Sequence, residues 1–154
     1  FSSSEGIKAM ADKGVVAVLL PAAAFSLMMR RFADARLMVD FGVPVALGSD
    51  FNPSCLAENM QLVIAFACHF MKLTSAEAIT AATINAAHAI GRANEVGSLE
   101  VGKKADIVVL DAPNHKFLGY HFGVNLVDKV VKNGRVVFDK EASRSEFPLL
   151  KGEE

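Results

Sequence analysis

Asp50, Asn52, Ser54 and Cys55 follow one another closely just beyond the end of the apolar run Val43-Pro44-Val45-Ala46-Leu47. Asp50 is the one among them suited to bind a cation and to accept a proton. A carboxylate set directly after a buried segment calls for a cation, a metal or several donors, because desolvating it unpaired is costly. A plainer reading stands beside this one. Asn52-Pro53 has the form of a helix start, with Asn as N-cap and Pro at the first helical position, so that Asp50 would merely help to close a strand-to-helix turn.

The remaining candidate ligands are scattered. Cys55 and Cys68 lie 13 residues apart, on what reads as one helix, and make no recognised metal pair. Reduced thiols are the expectation, which favours a cytoplasmic protein. His69 and His88 fall in late helix turns, where the helix C-terminus favours a cation. His115 is in a loop, and His121, in Tyr-His-Phe-Gly, has no second ligand at a recognised spacing.

The elements that must position Asp50 read as follows. Ser2 and Glu5 form a capping-box pattern opening a helix to Lys13, with Gly14 as its stop. Val15 to Leu20 is a buried strand ended by Pro21, and the segment from Pro21 to Ser26 is a loop. A helix spans Arg31 to Phe41, a second buried strand spans Val43 to Leu47, and a largely apolar helix spans Ser54 to Leu73. Its Met and Phe stripes are core. Thr74 and Glu77 open a last helix running through Ile90 to Gly91. Alternating helix and strand with short links implies a parallel sheet. After Gly91 the pattern changes to a turn-rich link, a strand from Ala105 to Asp111, and a hairpin around Asn133-Gly134. From Lys140 onward the sequence reads as a solvated tail. The boundaries are therefore 1–91 for the α/β part, 92–140 for a small β-domain and 141–154 for the tail.

Composition excludes several classes. The 154 residues are 52% hydrophobic and 21% charged with a formal net charge of −1, so no basic field is available for nucleic acid. The uncharged run from Gly14 to Met29 contains Pro21 and is shorter than the ~18–20 residues of a membrane span. These residues show no basic-then-apolar leader, which a missing N-terminus would hide. The chain opens on Phe1 and directly enters a helix start, as if cut from something longer.

Asn85-Ala86-Ala87 with Gly91, followed by Gly97-Ser98-Leu99-Glu100-Val101-Gly102-Lys103-Lys104-Ala105-Asp106-Ile107-Val108-Val109-Leu110-Asp111, resembles the C-terminal signature of the metal-dependent amidohydrolase superfamily. Within it, Ala17 to Pro21, Gly42 to Pro53, and Tyr120-His121-Phe122-Gly123 through Gly134 are most similar to the branch that hydrolyses a cyclic amide in histidine degradation. The resemblance covers about residues 3 to 138 and implies an α/β fold. The chain would be the C-terminal part of a (β/α)8 TIM barrel, strands seven and eight with flanking helices, plus part of a β-sandwich domain. It implies a Zn or Fe site, with Asp50 as metal ligand and as acceptor of the attacking water's proton. It also implies that Asn52 contacts the substrate and that Ser54 and Cys55 bind its carboxylate end through amides at a helix N-terminus. Members usually carry Gly and then Thr or Ser at those two positions, so this chain departs at both. The other metal ligands are expected outside this chain, the fragment alone is expected to be inactive, and the whole protein is expected to act on a small molecule as a homodimer. Two alternatives remain: a purine- or guanine-type aminohydrolase, and a non-catalytic half-barrel acting with a partner chain.

Overall fold

In the structure, a computed structural model describing residues 2–145, helices and strands alternate through the first half of the chain and give way to an antiparallel sheet. Helix α1 (Ser4–Asp12) is capped by Ser3, whose hydroxyl accepts the Gly6 amide at 3.2 Å, so the cap lies one residue beyond the expected Ser2. Strand β1 (Ala17–Leu19) is the centre of the run read from Val15 to Leu20.

The residues after β1, expected as a loop, form helix α2 (Pro21–Ser26). Pro21 sits at the first helical position, where its missing N–H costs nothing, and three alanines follow it. Helix α3 (Ala35–Asp40) starts later than Arg31 because Asp34 caps it, accepting the Leu37 amide at 3.1 Å. Strand β2 (Val45–Leu47) pairs parallel with β1, Ala17 opposite Val45 and Leu19 opposite Leu47, and all three of its residues are buried.

Helix α4 (Met60–Met71) starts at an Asn59 cap rather than at Ser54, so Cys68 lies on it and Cys55 does not. Thr74 and Glu77 form the expected reciprocal capping box at the start of α5 (Ser75–Ala82). The helix expected to continue to Gly91 breaks at Thr83, whose hydroxyl donates back to the Ile79 carbonyl at 2.7 Å, and resumes as α6 (Ile84–Ala89).

Strands β3 (Ile107–Leu110), β4 (Val127–Lys132) and β5 (Arg135–Asp139) form an antiparallel sheet in that order, with α7 (Phe117–Tyr120) between the first two. Asn133 and Gly134 both take positive φ, 49° and 76°, as a two-residue hairpin turn with matching twist requires. Lys140–Ser145, read as the start of a tail, forms α8, with Asp139 accepting the Glu141 amide at 3.0 Å. The rest of that tail lies outside the described residues.

The core gathers around β1 and β2, where Ile7, Val43, Val63 and Ala67 are almost wholly buried. The larger side chains among them, Ile7, Val43 and Val63, each contribute ~1.5–3 kcal/mol relative to exposure. Elsewhere apolar surface is open: Val18 on β1, Val108 on β3, and Val136 and Val137 on β5 are all exposed.

Candidate active site at the end of strand β2

The site is built from the strand outward. Gly48 donates its amide to the Leu19 carbonyl at 3.1 Å and brings β2 close to β1; a Cβ there would stand 3.1 Å from the Leu20 side chain. Two residues on, Asp50 turns the chain with a φ of 54°, a left-handed conformation that Asp tolerates better than most residues. The Asp50 side chain is exposed at the C-terminal end of the strand. In α/β folds chemistry collects at this end of the strands.

Asn52 holds the turn. Its side-chain amide donates to the Asp50 carbonyl at 2.6 Å and its side-chain oxygen accepts the Ser54 amide at 2.9 Å. The Asn52 and Cys55 backbones exchange both hydrogen bonds, at 3.0 and 2.9 Å. Asn at the first position and Pro at the second is equally a β-turn signature, and here the turn wins over the helix start.

This corrects the helix N-terminus expected around Ser54 and Cys55. The amides of both residues are already bonded within the turn, and the first turn of α4 comes later, at Met60. Ser54 is exposed, whereas Cys55 is buried, its thiol 3.6 Å from the Ser49 carbonyl. One tie to a neighbouring helix was not legible in the sequence: Ser26, last residue of α2, donates its hydroxyl to the Ser54 carbonyl at 2.8 Å. Asn85 escaped it as a site neighbour too, donating its side-chain amide to the Val45 carbonyl at 2.8 Å.

Charge steadies the scaffold behind the site. Arg36 of α3 forms two parallel hydrogen bonds of 3.0 Å to the Glu77 carboxylate on α5 and a third of 3.0 Å to Asp40. The guanidinium, joined by the Thr74 amide and hydroxyl, lowers the Glu77 pKa to about 2. Since α3 leads directly into β2, this fork fixes the entry to the strand.

Among the described residues no three His, Cys, Asp or Glu side chains gather to hold a metal ion. His69 lies edge-on to Phe122 at 5.6 Å between ring centres, and His121 lies edge-on to Phe117 at 4.7 Å. A catalytic zinc takes about three protein ligands, so these residues alone do not fit one, and Asp50 is at most one ligand of a set completed from elsewhere.

The profile of the amidohydrolase family matches residues 5–137, and the chain belongs to that family. Two curated relatives are imidazolonepropionases. The one from Alkaliphilus metalliredigens is 52% identical over 90% of this chain and 33% of its own length; that from Porphyromonas gingivalis is 56% identical over 88% and 32%. The chain thus spans about a third of the length of these relatives. Among solved structures, a mutant atrazine chlorohydrolase from Arthrobacter aurescens, complexed with zinc and atraton, superposes with a TM-score of 0.79 at 26% identity, covering 92% of this chain and 35% of that one. An adenosine deaminase from Xanthomonas campestris with bound zinc gives 0.76 at 25%, covering 94% and 38%.

Proposed function

We propose that this chain is the C-terminal part of an imidazolonepropionase, hydrolysing 4-imidazolone-5-propanoate to N-formimidoyl-L-glutamate. The observation that carries the reading is the identity above 50% to imidazolonepropionases along nearly the whole chain, joined to a carboxylate exposed at a strand end.

In this reading β1 and β2 are strands seven and eight of a (β/α)8 barrel, and the β3-β4-β5 sheet is part of a sandwich domain. The exposed valines on β1, β3 and β5 agree with it, since a completed barrel and sandwich would cover them. A barrel of this kind needs ~250 residues, so the fragment alone is inactive.

A divalent metal, Zn or Fe, held by ligands outside this chain together with Asp50, would supply the Lewis acidity that makes water nucleophilic near neutral pH. The residues present here do the rest. The Asp50 carboxylate accepts the proton of the attacking water and passes it to the ring nitrogen as the amide C–N bond breaks. Asn52, with one N–H and one lone pair still free after its turn bonds, orients the ring, and Ser54 offers its hydroxyl to the propanoate end. The Cys55 thiol is buried, so Cys55 contributes the shape of the turn. The protein would work as a cytoplasmic homodimer with both thiols reduced.

The test is substrate turnover by the complete open reading frame that encodes this chain, with imidazolonepropanoate, guanine and adenosine compared. Hydrolysis of the imidazolone alone supports the reading. Deamination of a purine in its place assigns the chain to another branch of the family.

A further inference from the structure

Hydrogen bonding along β2 alternates between its two edges. The β1 side is served by Ala17 donating to the Pro44 carbonyl at 2.9 Å and Gly48 donating to the Leu19 carbonyl at 3.1 Å. Residues 44, 46 and 48 therefore address β1, and the Val45 carbonyl points to the opposite edge. Val45 is 3% exposed, so an unmet acceptor there would be costly; in the closed barrel of the proposed reading this edge faces the neighbouring strand, whose amide takes one of the carbonyl's two lone pairs and leaves the other to a side chain. Among the described residues it is the Asn85 side-chain amide that meets it, at 2.8 Å.

Asn85 is itself held rigidly. It is the second residue of α6, directly after the break at Thr83. Gly97, with a φ of 96°, lies so close to this break that a Cβ would stand 2.7 Å from the Ala87 side chain and 3.0 Å from the Ile84 backbone. The seat of α6 is thereby fixed, and with it the position of the amide. Downstream of Asp50, Asn52 and Ser26 anchor the turn. Upstream, β2 is only three residues long. Any slide or rotation of so short a strand is carried directly into Asp50.

We infer that Asn85 is a positioning residue for the hydrolysis: its amide pins β2 at Val45 and so sets where the Asp50 carboxylate emerges. This rests on the reading that Asp50 accepts the proton. Because Asn85 acts through Asp50 and touches no substrate, its loss lowers kcat and leaves KM nearly unchanged.

The experiment uses the complete reading frame with Asn85→Ala and Asn85→Asp, which remove the donor, Asn85→Gln, which keeps it, and Asp50→Asn as control. All are assayed well below their melting temperatures on protein verified as folded by circular dichroism. The expected result is a kcat lower by about tenfold or more in Asn85→Ala and Asn85→Asp, with KM within about twofold and Asn85→Gln intermediate. Folded Asn85→Ala and Asn85→Asp proteins that keep kcat within about twofold of wild type, whatever their melting temperatures, overturn the proposal and leave Asn85 a purely structural residue. Should those two fail to fold, Asn85→Ser is judged by the same kcat and KM criteria. Wild-type turnover in Asp50→Asn removes the underlying reading instead, so the two failures are distinct.

Discussion

The Asn52 side-chain amide donates a 2.6 Å hydrogen bond to the backbone carbonyl of Asp50, the residue whose φ of 54° turns the chain out of β2. The most chemically capable side chain at the strand end is thus held in a left-handed conformation by the residue two positions on. A non-glycine residue in that region stores ~1 kcal/mol or more, and it persists where surrounding bonds over-determine it.

Asn52→Ala removes this bond and the one to the Ser54 amide together. In the complete enzyme the expected outcome is a loss of kcat/KM on the order of tenfold to a hundredfold, with stability lower by ~1 kcal/mol, because the turn is exposed and water replaces part of what is lost. Steady-state kinetics beside a thermal melt separates the two effects.

The Arg36 to Glu77 fork predicts a particular acid sensitivity. Arg36 holds the Glu77 carboxyl at about 2, well below its ordinary 4.5. A depressed acid contributes stability that is complete above its unfolded value and is lost as the pH falls toward the folded one. Thermal stability should therefore fall between about pH 4.5 and 2 more steeply in wild type than in Glu77→Gln. At pH 7 that variant should be less stable by ~1 kcal/mol, a modest figure because both side chains are about one-third exposed. Parallel melts across this pH range check it.

Gly97→Ala should destabilise by ~2–4 kcal/mol, because the added methyl would stand 2.7 Å from the Ala87 Cβ in a backbone with a φ of 96°. Gly102→Ala, with a φ of 93° and nothing within 4 Å, should suffer only the backbone cost of ~1 kcal/mol. Chemical denaturation of both variants tests whether the close approach to α6 carries the difference.

What was legible in the sequence was local. The buried run of β2, the Thr74 and Glu77 capping box and the Asn133-Gly134 hairpin each depend on residues a few positions apart, and each forms where its pattern lies. Two segments went to a competing local rule. Pro21 serves as a helix opener as readily as a strand breaker, and Asn52-Pro53 serves a turn as readily as a helix cap. The helix break at Thr83 left no mark because Thr fits the apolar period of its neighbours. Asn85 was visible only as part of a signature; its bond to Val45 spans 40 residues and belongs to packing, which no periodicity reveals. A full metal-ligand set is beyond what these residues hold among those described.

The most direct test of the account is the rate at which the complete open reading frame and its Asp50→Asn variant consume imidazolonepropanoate. The substitution preserves shape and removes the proposed proton acceptor, so the expected result is turnover by wild type and a loss of about a thousandfold or more, roughly 4 kcal/mol of barrier, in the folded variant. A folded Asp50→Asn protein that turns over the imidazolone within about tenfold of wild type would contradict it.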